Sequence, residues 1–257
     1  MPSYYSNLAP FREQFGAGRP VLMYHHVRRP ARGARIKGLY VSPVLFSKQL
    51  AELKQAGFQA PFYGNVIGQE TGPAKSEIFL TFDDGFVDVF ENALPLLRQH
   101  GFSSIQFLVS DLLGKTNEWQ QRAGDVTEPL MDPAQIKEWL AAGQEIGSHT
   151  RTHPRLTQLP AAEAREEISA SKKALEDRFG RAIDHFCYPY GDWNTGVRDL
   201  VIEAGYKTAC TTEPGMNSGV TSAFELKRFT ARYPSRNLKQ IWSRLFPGMK
   251  PGGNDFT

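Results

Sequence analysis

The chain has 257 residues, 40% hydrophobic and 12% aromatic, enough apolar material for one sizeable core, and α/β barrels of this length fold as one domain. A formal net charge of +3 without a basic tail or an RNA-binding aromatic motif is too mild to argue for nucleic acid, so no nucleic-acid partner is expected, and two cysteines, Cys187 and Cys210, indicate no disulfide framework and fit a reducing compartment. The first residues lack the basic-then-apolar order of an export signal, and no run of about eighteen apolar residues occurs, so the expectation is a cytoplasmic protein without a transmembrane segment, exported only if a signal has been removed.

Residues 1–19 read as a polar N-terminal arm. Val21 to Val27 reads as the first strand; successive strand side chains point to opposite faces, so His25 and His26 cannot both look into one site. A basic loop follows, with Arg28, Arg29, Arg32, Arg35 and Lys37 and no acidic residue among them. Pro43 to Gly57 carries Leu45, Phe46, Leu50 and Leu53 at helical spacing, with Gly57 as the stop. Glu77 to Phe82 is an apolar, β-branched run that reads as a buried strand. It ends in Thr81-Phe82-Asp83-Asp84-Gly85, which delivers two adjacent carboxylates where the strand must stop. Taken alone, that ending reads equally well as an Asp-Gly turn.

Val87 to His100 reads as a helix capped by Gly101, Ser103 to Val109 as a strand, and Leu113 to Met131 as a polar loop containing Trp119. A helix from Pro133 to Ala142 leads to a strand, Gln144 to Ser148, and then to His149-Thr150-Arg151-Thr152-His153. That four-residue step puts two imidazoles on one face of a helical turn, a spacing suited to one metal ion. Pro160 to Phe179 is a heavily charged outer helix. His185 to Tyr190 is a strand, Thr195 to Ala204 a helix ended by Gly205, and Lys207 to Thr212 and Leu226 to Ala231 are strands. Asn237 to Phe246 makes a last helix, and 247–257 a flexible tail.

Strands alternating with helices imply a parallel sheet, and about seven units in one domain imply an α/β fold of the distorted (β/α)-barrel type over residues 20–246. Catalytic residues of such barrels sit at the C-terminal ends of strands, where Asp83, Asp84, His149 and Tyr190 fall. One carboxylate with two imidazoles makes a facial site for a divalent metal with positions left open for water and substrate. Two adjacent carboxylates do not share one role cheaply, and a metal held by one separates their pKa values.

TFDDG, SHTRTH and Phe186-Cys187-Tyr188-Pro189-Tyr190-Gly191, in this order and rough separation, resemble the polysaccharide deacetylase family, also called carbohydrate esterase family 4 or the NodB-homology domain. The resemblance covers about residues 20–232. It implies a carbohydrate deacetylase in which Asp84, His149 and His153 hold one divalent metal, zinc favoured and cobalt, nickel or manganese acceptable. It implies that Asp83 takes the proton of the attacking water, and that the metal and the backbone N–H of Tyr190 hold the oxyanion. The implied substrate is the acetamide of an N-acetylated amino sugar in a glycan or glycolipid precursor.

Two features depart from the family pattern: the arginine often found at the place of Cys187 and the late histidine that supplies the acid are both absent. The Tyr24-His25 pair and the FCYPYG form are similar to the poly-N-acetylglucosamine deacetylase branch, where a first-strand histidine is implied to take over. His25 is then the candidate acid, against the reading of a satisfied core histidine. His26, His100 and His185 read as surface or packing residues, Cys187 as a small core hydrophobe, and Trp119 and Trp193 as sugar platforms or rim packing. The alternatives left open are a catalytically inactive glycan-binding relative and a deformylase or O-acetyl esterase of the same fold. The basic loop leaves strand one at the barrel mouth, so an anionic substrate is expected, such as a lipid-linked phosphate with peripheral membrane contact, against the reading of a solvated loop.

Overall fold

A computed structural model describes residues 4–67, 76–122 and 124–232; the expected helix from Asn237 to Phe246 and the tail lie outside them. Seven strands run parallel: β1 (Val21–Tyr24), β2 (Phe79–Phe82), β3 (Ile105–Leu108), β4 (Glu145–Ser148), β5 (His185–Cys187), β6 (Thr208–Cys210) and β7 (Phe229–Thr230). Their order is β6-β5-β4-β3-β2-β1-β7. Parallel sheets are covered on both faces, which is why β1, β2 and β3 are buried at every position.

Alternate strand positions sort into two cores. Val21, Phe79, Ile105, Phe107, Cys187 and Cys210 point inward and meet Tyr63 and Leu226. Leu22, Tyr24, Leu80, Phe82, Ile146 and Phe186 point outward beneath the helices. The inner layer is tight enough that β4 needs glycine at 147, where a Cβ would lie 2.6 Å from the Phe107 ring. Closure comes from one stretch. Leu226 pairs with β6, its N–H donating to Ala209 (3.0 Å) and its carbonyl accepting from Thr211 (2.9 Å), and three residues later Phe229 pairs with Leu22 of β1. The two sheet edges are thus tied together, and the sheet curls into a distorted (β/α) barrel.

The covering helices are α1 (Arg12–Gly16), α2 (Pro43–Gln55), α3 (Leu94–His100), α4 (Glu118–Arg122), α5 (Pro133–Ala141), α6 (Ala161–Phe179) and α7 (Thr195–Glu203). Their starts follow local chemistry. Ser42 caps α2 by accepting from Leu45, Asp132 and Gln135 form a reciprocal capping box on α5, and Asn194 caps α7. A π-helical turn, Val89–Ala93, opens the helix that continues as α3.

Three expectations change. Residues 4–19 are not a polar arm: Tyr5, Leu8, Phe11 and Phe15 are buried, and Phe11 and Phe15 pack on Phe229 at 5.4 and 5.3 Å between ring centroids. Tyr5 pairs with the outer edge of β7, its N–H donating to the Thr230 carbonyl (2.8 Å), and Phe11 and Phe15, four residues apart on the short helical segment, lay their rings over that strand. The loop from Leu113 to Met131 contains α4, which carries Trp119. β1 stops at Tyr24, and His26 instead pairs with the Leu39–Val41 segment, N–H to Leu39 at 3.0 Å and carbonyl from Val41 at 2.9 Å. Among the described residues, no helix is long and apolar enough to cross a membrane.

Candidate metal-binding active site

Phe79 and Thr81 face the barrel interior, and Asp83 keeps that phase past the end of β2. Asp84 would face the other way in a continuing strand, but its backbone is left-handed (φ 75°), and Gly85 follows at φ 91°. Aspartate tolerates that region better than most residues, and the kink turns both carboxylates toward the barrel mouth.

The second motif also works through kinks. Thr150 (φ 69°) and His153 (φ 67°) are left-handed, so the segment from His149 to His153 is a folded loop and not the expected helical turn. Side chains hold it in this form: Thr150 Oγ1 accepts from the His153 N–H (3.0 Å), and Glu167 of α6 accepts from the N–H groups of Arg151 and Thr152 (2.9 and 3.0 Å). Glu167, one of the charges on that outer helix, therefore straps this loop to the barrel wall.

The loop brings His149 Nε2 and His153 Nε2 to 3.4 and 3.3 Å from Asp84 Oδ1. All three residues are buried. His149 Nδ1 lies 2.7 Å from the Cys187 carbonyl, which fixes Nδ1 as the donor and turns the Nε2 lone pair toward Asp84. Asp84 Oδ1 is buried without a hydrogen-bond donor. The His149 lone pair aimed at an unsatisfied carboxylate oxygen is unfavourable unless a cation lies between them, and His153 Nε2 approaches the same oxygen, so the donor set fits a divalent ion. Burial lowers His153, against the pull of Asp84. The Trp119 ring stacks on His153 (4.3 Å, 20°), and the Tyr190 ring meets it edge-on at 4.5 Å.

A second cluster, Asp83, His149 and Cys187, also has its ligand atoms close together. It suits a metal less well, because both Asp83 oxygens are engaged and burial raises the Cys187 thiol well above its usual range. Cys187 is a small buried residue, as expected.

The partner of Asp83 is the residue that sequence reasoning missed. Arg228, fully buried, donates to Asp83 Oδ1 (2.7 Å) and Oδ2 (2.8 Å), to Thr81 Oγ1 (3.0 Å) and to the Thr211 carbonyl (2.8 Å). Its guanidinium passes 3.1 Å from Cys187 Sγ, in the place where the family pattern led us to expect an arginine side chain to originate. The orienting arginine is present after all, delivered from the stretch that closes the barrel. Arg228 falls next to Phe229 in the last strand-like stretch, Leu226 to Ala231, and that placement is the one sequence signal for it. Burial would raise the Asp83 carboxyl, but the Arg228 charge and hydrogen bonds outweigh it and hold the group below its usual value.

His25 keeps the inward phase of Val21 and Met23, and its Nε2 lies 3.8 Å from Asp83 Oδ2. Burial lowers its pKa, opposed by Asp83 and Asp84. His26 faces away: its Nδ1 is 2.7 Å from Asp88 Oδ2, and its ring is stacked between Tyr40 and Phe86. Tyr190 has a left-handed backbone (φ 60°), an exposed ring and the Arg155 guanidinium 4.3 Å above that ring. Gly191 follows at φ 65°, where a Cβ would lie 2.0 Å from Thr212 Oγ1, so only glycine allows this turn. Trp193 stacks on Tyr188 (6.0 Å, 25°), and His185 is buried inside the barrel with Nδ1 3.0 Å from Thr208 Oγ1.

Residues 70–209 match the family model described as polysaccharide deacetylase. The Bacillus subtilis (strain 168) protein provisionally named polysaccharide deacetylase YxkH is 27% identical over 212 residues, 81% of this chain and 70% of its own. The chitooligosaccharide deacetylase of Azorhizobium caulinodans is 29% identical over 52% of this chain; the chain spans only 57% of that relative's length. The structure of Streptococcus pyogenes deacetylase PplD in complex with acetate superposes with a TM-score of 0.74 at 25% identity, covering 91% of this chain and 99% of PplD.

Proposed function

Since the chain belongs to the polysaccharide deacetylase family, we propose that it is a metal-dependent N-deacetylase that hydrolyses the acetamide of an N-acetylated amino sugar in a glycan or glycolipid precursor. One observation carries this reading: Asp84 Oδ1, unsatisfied and faced by two imidazole nitrogens, lies next to a second carboxylate, Asp83, held separately by Arg228. Asp84, His149 and His153 would hold the ion, with zinc the first choice and cobalt, nickel or manganese acceptable. When bound, the ion supplies Lewis-acid polarisation of the attacking water and of the acetamide carbonyl.

Asp83 accepts the water proton. Its two bonds to Arg228 keep it ionised and fix its direction, leaving other lone pairs for the water. The water oxygen then bonds to the carbonyl carbon, and the backbone N–H of Tyr190 is the proposed protein donor to the oxyanion. Collapse breaks the C–N bond and requires a proton on the leaving nitrogen. His25 is largely neutral at rest because burial lowers its pKa, so it must receive a proton before giving one. Asp83 Oδ2, at 3.8 Å, is the near source, and we assign His25 as the relay from the base to the amine. Acetate and a free amino sugar result. Trp119, stacked on His153, shields one side of the ligand set from water.

The inactive-relative reading rested on two missing groups, and Arg228 supplies one of them. The deciding experiment measures acetate release by metal-reconstituted protein from N-acetylated chito-oligomers and lipid-linked amino sugars, with N-formyl and O-acetyl analogues as competing arms. Metal-dependent acetate release from an amide, abolished by Asp84→Asn, is the expected result. Formate or ester products alone, or no product with the ion bound, would overturn the assignment.

A further inference from the structure

The loop from Arg28 to Lys37 leaves the C-terminal end of β1 just after His25, on the face of the barrel that carries the site. Its five basic residues fall into two groups. Arg28 is paired with Glu128 at 2.8 Å, and the Arg35 stretch is pinned by Asp125, which accepts from the N–H groups of Arg35 (2.9 Å) and Ile36 (3.2 Å). Arg29, Arg32 and Lys37 are exposed, and among the described residues none of these three has a carboxylate at ion-pair distance. They line one recess of about 670 Å³ together with Pro30, Ala31 and Ala34.

The recess is held at both ends. Val27 N–H donates to Asp88 Oδ1 (2.6 Å) before it, and His26 pairs with the Leu39–Val41 segment after it. Three exposed cations on a loop tied at both ends, with Arg28 paired to Glu128 and the backbone at Arg35 and Ile36 bonded to Asp125, differ from a waving solvated tail: they give the recess a local positive charge that an entering anion would offset. Guanidinium groups match phosphate and carboxylate oxygens in pairs, and a recess of this volume admits a charged sugar.

We propose that this recess is an oxyanion subsite that selects glycans carrying a phosphate or carboxylate away from the scissile acetamide. The inference rests on the deacetylase reading above and adds the substrate's charge to it.

The test uses the full, metal-loaded chain and three substrates: a short neutral N-acetylglucosamine oligomer, the same oligomer with a terminal phosphate, and the same oligomer with a terminal carboxylate. The quantity read is the ratio of kcat/KM for charged over neutral substrate, at low ionic strength and at about 1 M salt, where screening acts within about 3 Å. The wild-type ratio is expected at about ten at low salt, carried by KM, and near one at high salt, as for electrostatic capture by a few charges. Arg29→Gln/Arg32→Gln/Lys37→Gln is expected to bring the low-salt ratio near one, with an unchanged melting temperature showing that the fold is intact. A wild-type ratio near one, or a variant ratio equal to the wild type, overturns the inference. If no oligomer is deacetylated, the deacetylase reading fails separately. Calorimetric binding then decides the recess: charge-dependent binding lost in the triple variant supports it, and equal binding of charged and neutral oligomers sinks it.

Discussion

Arg228 lies 145 positions after Asp83 and grips both of its carboxylate oxygens, at 2.7 and 2.8 Å, inside the barrel. Both groups are buried, so removing one partner strands a charge. Arg228→Ala should cost about 3–5 kcal/mol in denaturant unfolding at neutral pH. The sign with pH follows from the lowered Asp83 pKa: this stability is present above the ordinary carboxylate value and is lost as pH falls through the folded one, so wild type and variant converge in acid. Arg228→Lys keeps the charge but not the fork; the acid limb of its kcat/KM profile should move to higher pH. An unmoved limb would detach Arg228 from the base.

His149→Ala, His153→Ala and Asp84→Asn should each lower the metal content of purified protein and abolish turnover together. Metal analysis by mass spectrometry checks this, alongside chelator treatment and re-addition of zinc. Full occupancy in all three variants would place the ion elsewhere.

Asp83→Asn leaves the ligand set intact and removes the proton acceptor. The expected outcome is retained metal with turnover lost by at least about two to four decades. Because Asp83 is the counter-charge of Arg228, this variant should also be less stable. Loss of the metal in this variant would mean that the roles of Asp83 and Asp84 are exchanged.

The adjacent histidines should fail in different assays. His25→Ala should lower kcat by about two to four decades with little change in stability, the range for a lost acid. His26→Ala removes a buried ring stacked between Tyr40 and Phe86 and strands Asp88, so its main effect should be a loss of about 2–4 kcal/mol in stability. A catalytic defect in a fully stable His26→Ala protein would contradict the assignment of faces.

His185, which is outside the candidate ligand set, supplies a second pH test. Burial lowers its pKa to about 4, whereas an unfolded chain takes up the proton near 6.5, so stability is complete above that value and declines as pH falls toward the folded one. Unfolding at pH 5 against pH 7.5 should show a loss of about 2 kcal/mol that His185→Asn lacks. Equal pH slopes in the two proteins would show that His185 does not titrate as a buried group.

Much of this protein was written locally. The apolar runs of β1 to β6, the capped helix starts at Ser42, Asp132 and Asn194, and the candidacy of Asp83, Asp84, His149 and His153, which the fold brings together, were legible in the sequence because strand phase, capping and ligand chemistry depend on near neighbours. Strand phase alone separated His25 from His26, and the two rings indeed face opposite ways. Other features depended on residues far apart in the chain. The metal-site loop is bent by left-handed residues and held by Glu167, which no four-residue spacing encodes. Leu8, Phe11 and Phe15 look like scattered apolar residues in a polar arm until β7 arrives to be covered. The role of Arg228 was not legible, because a sequence carries no sign of which distant carboxylate can repay the cost of burying it. The pairing of β7 with β1, which itself pairs with β2, decided that: it sets the residue before Phe229 two strands away from the end of β2, within reach of Asp83.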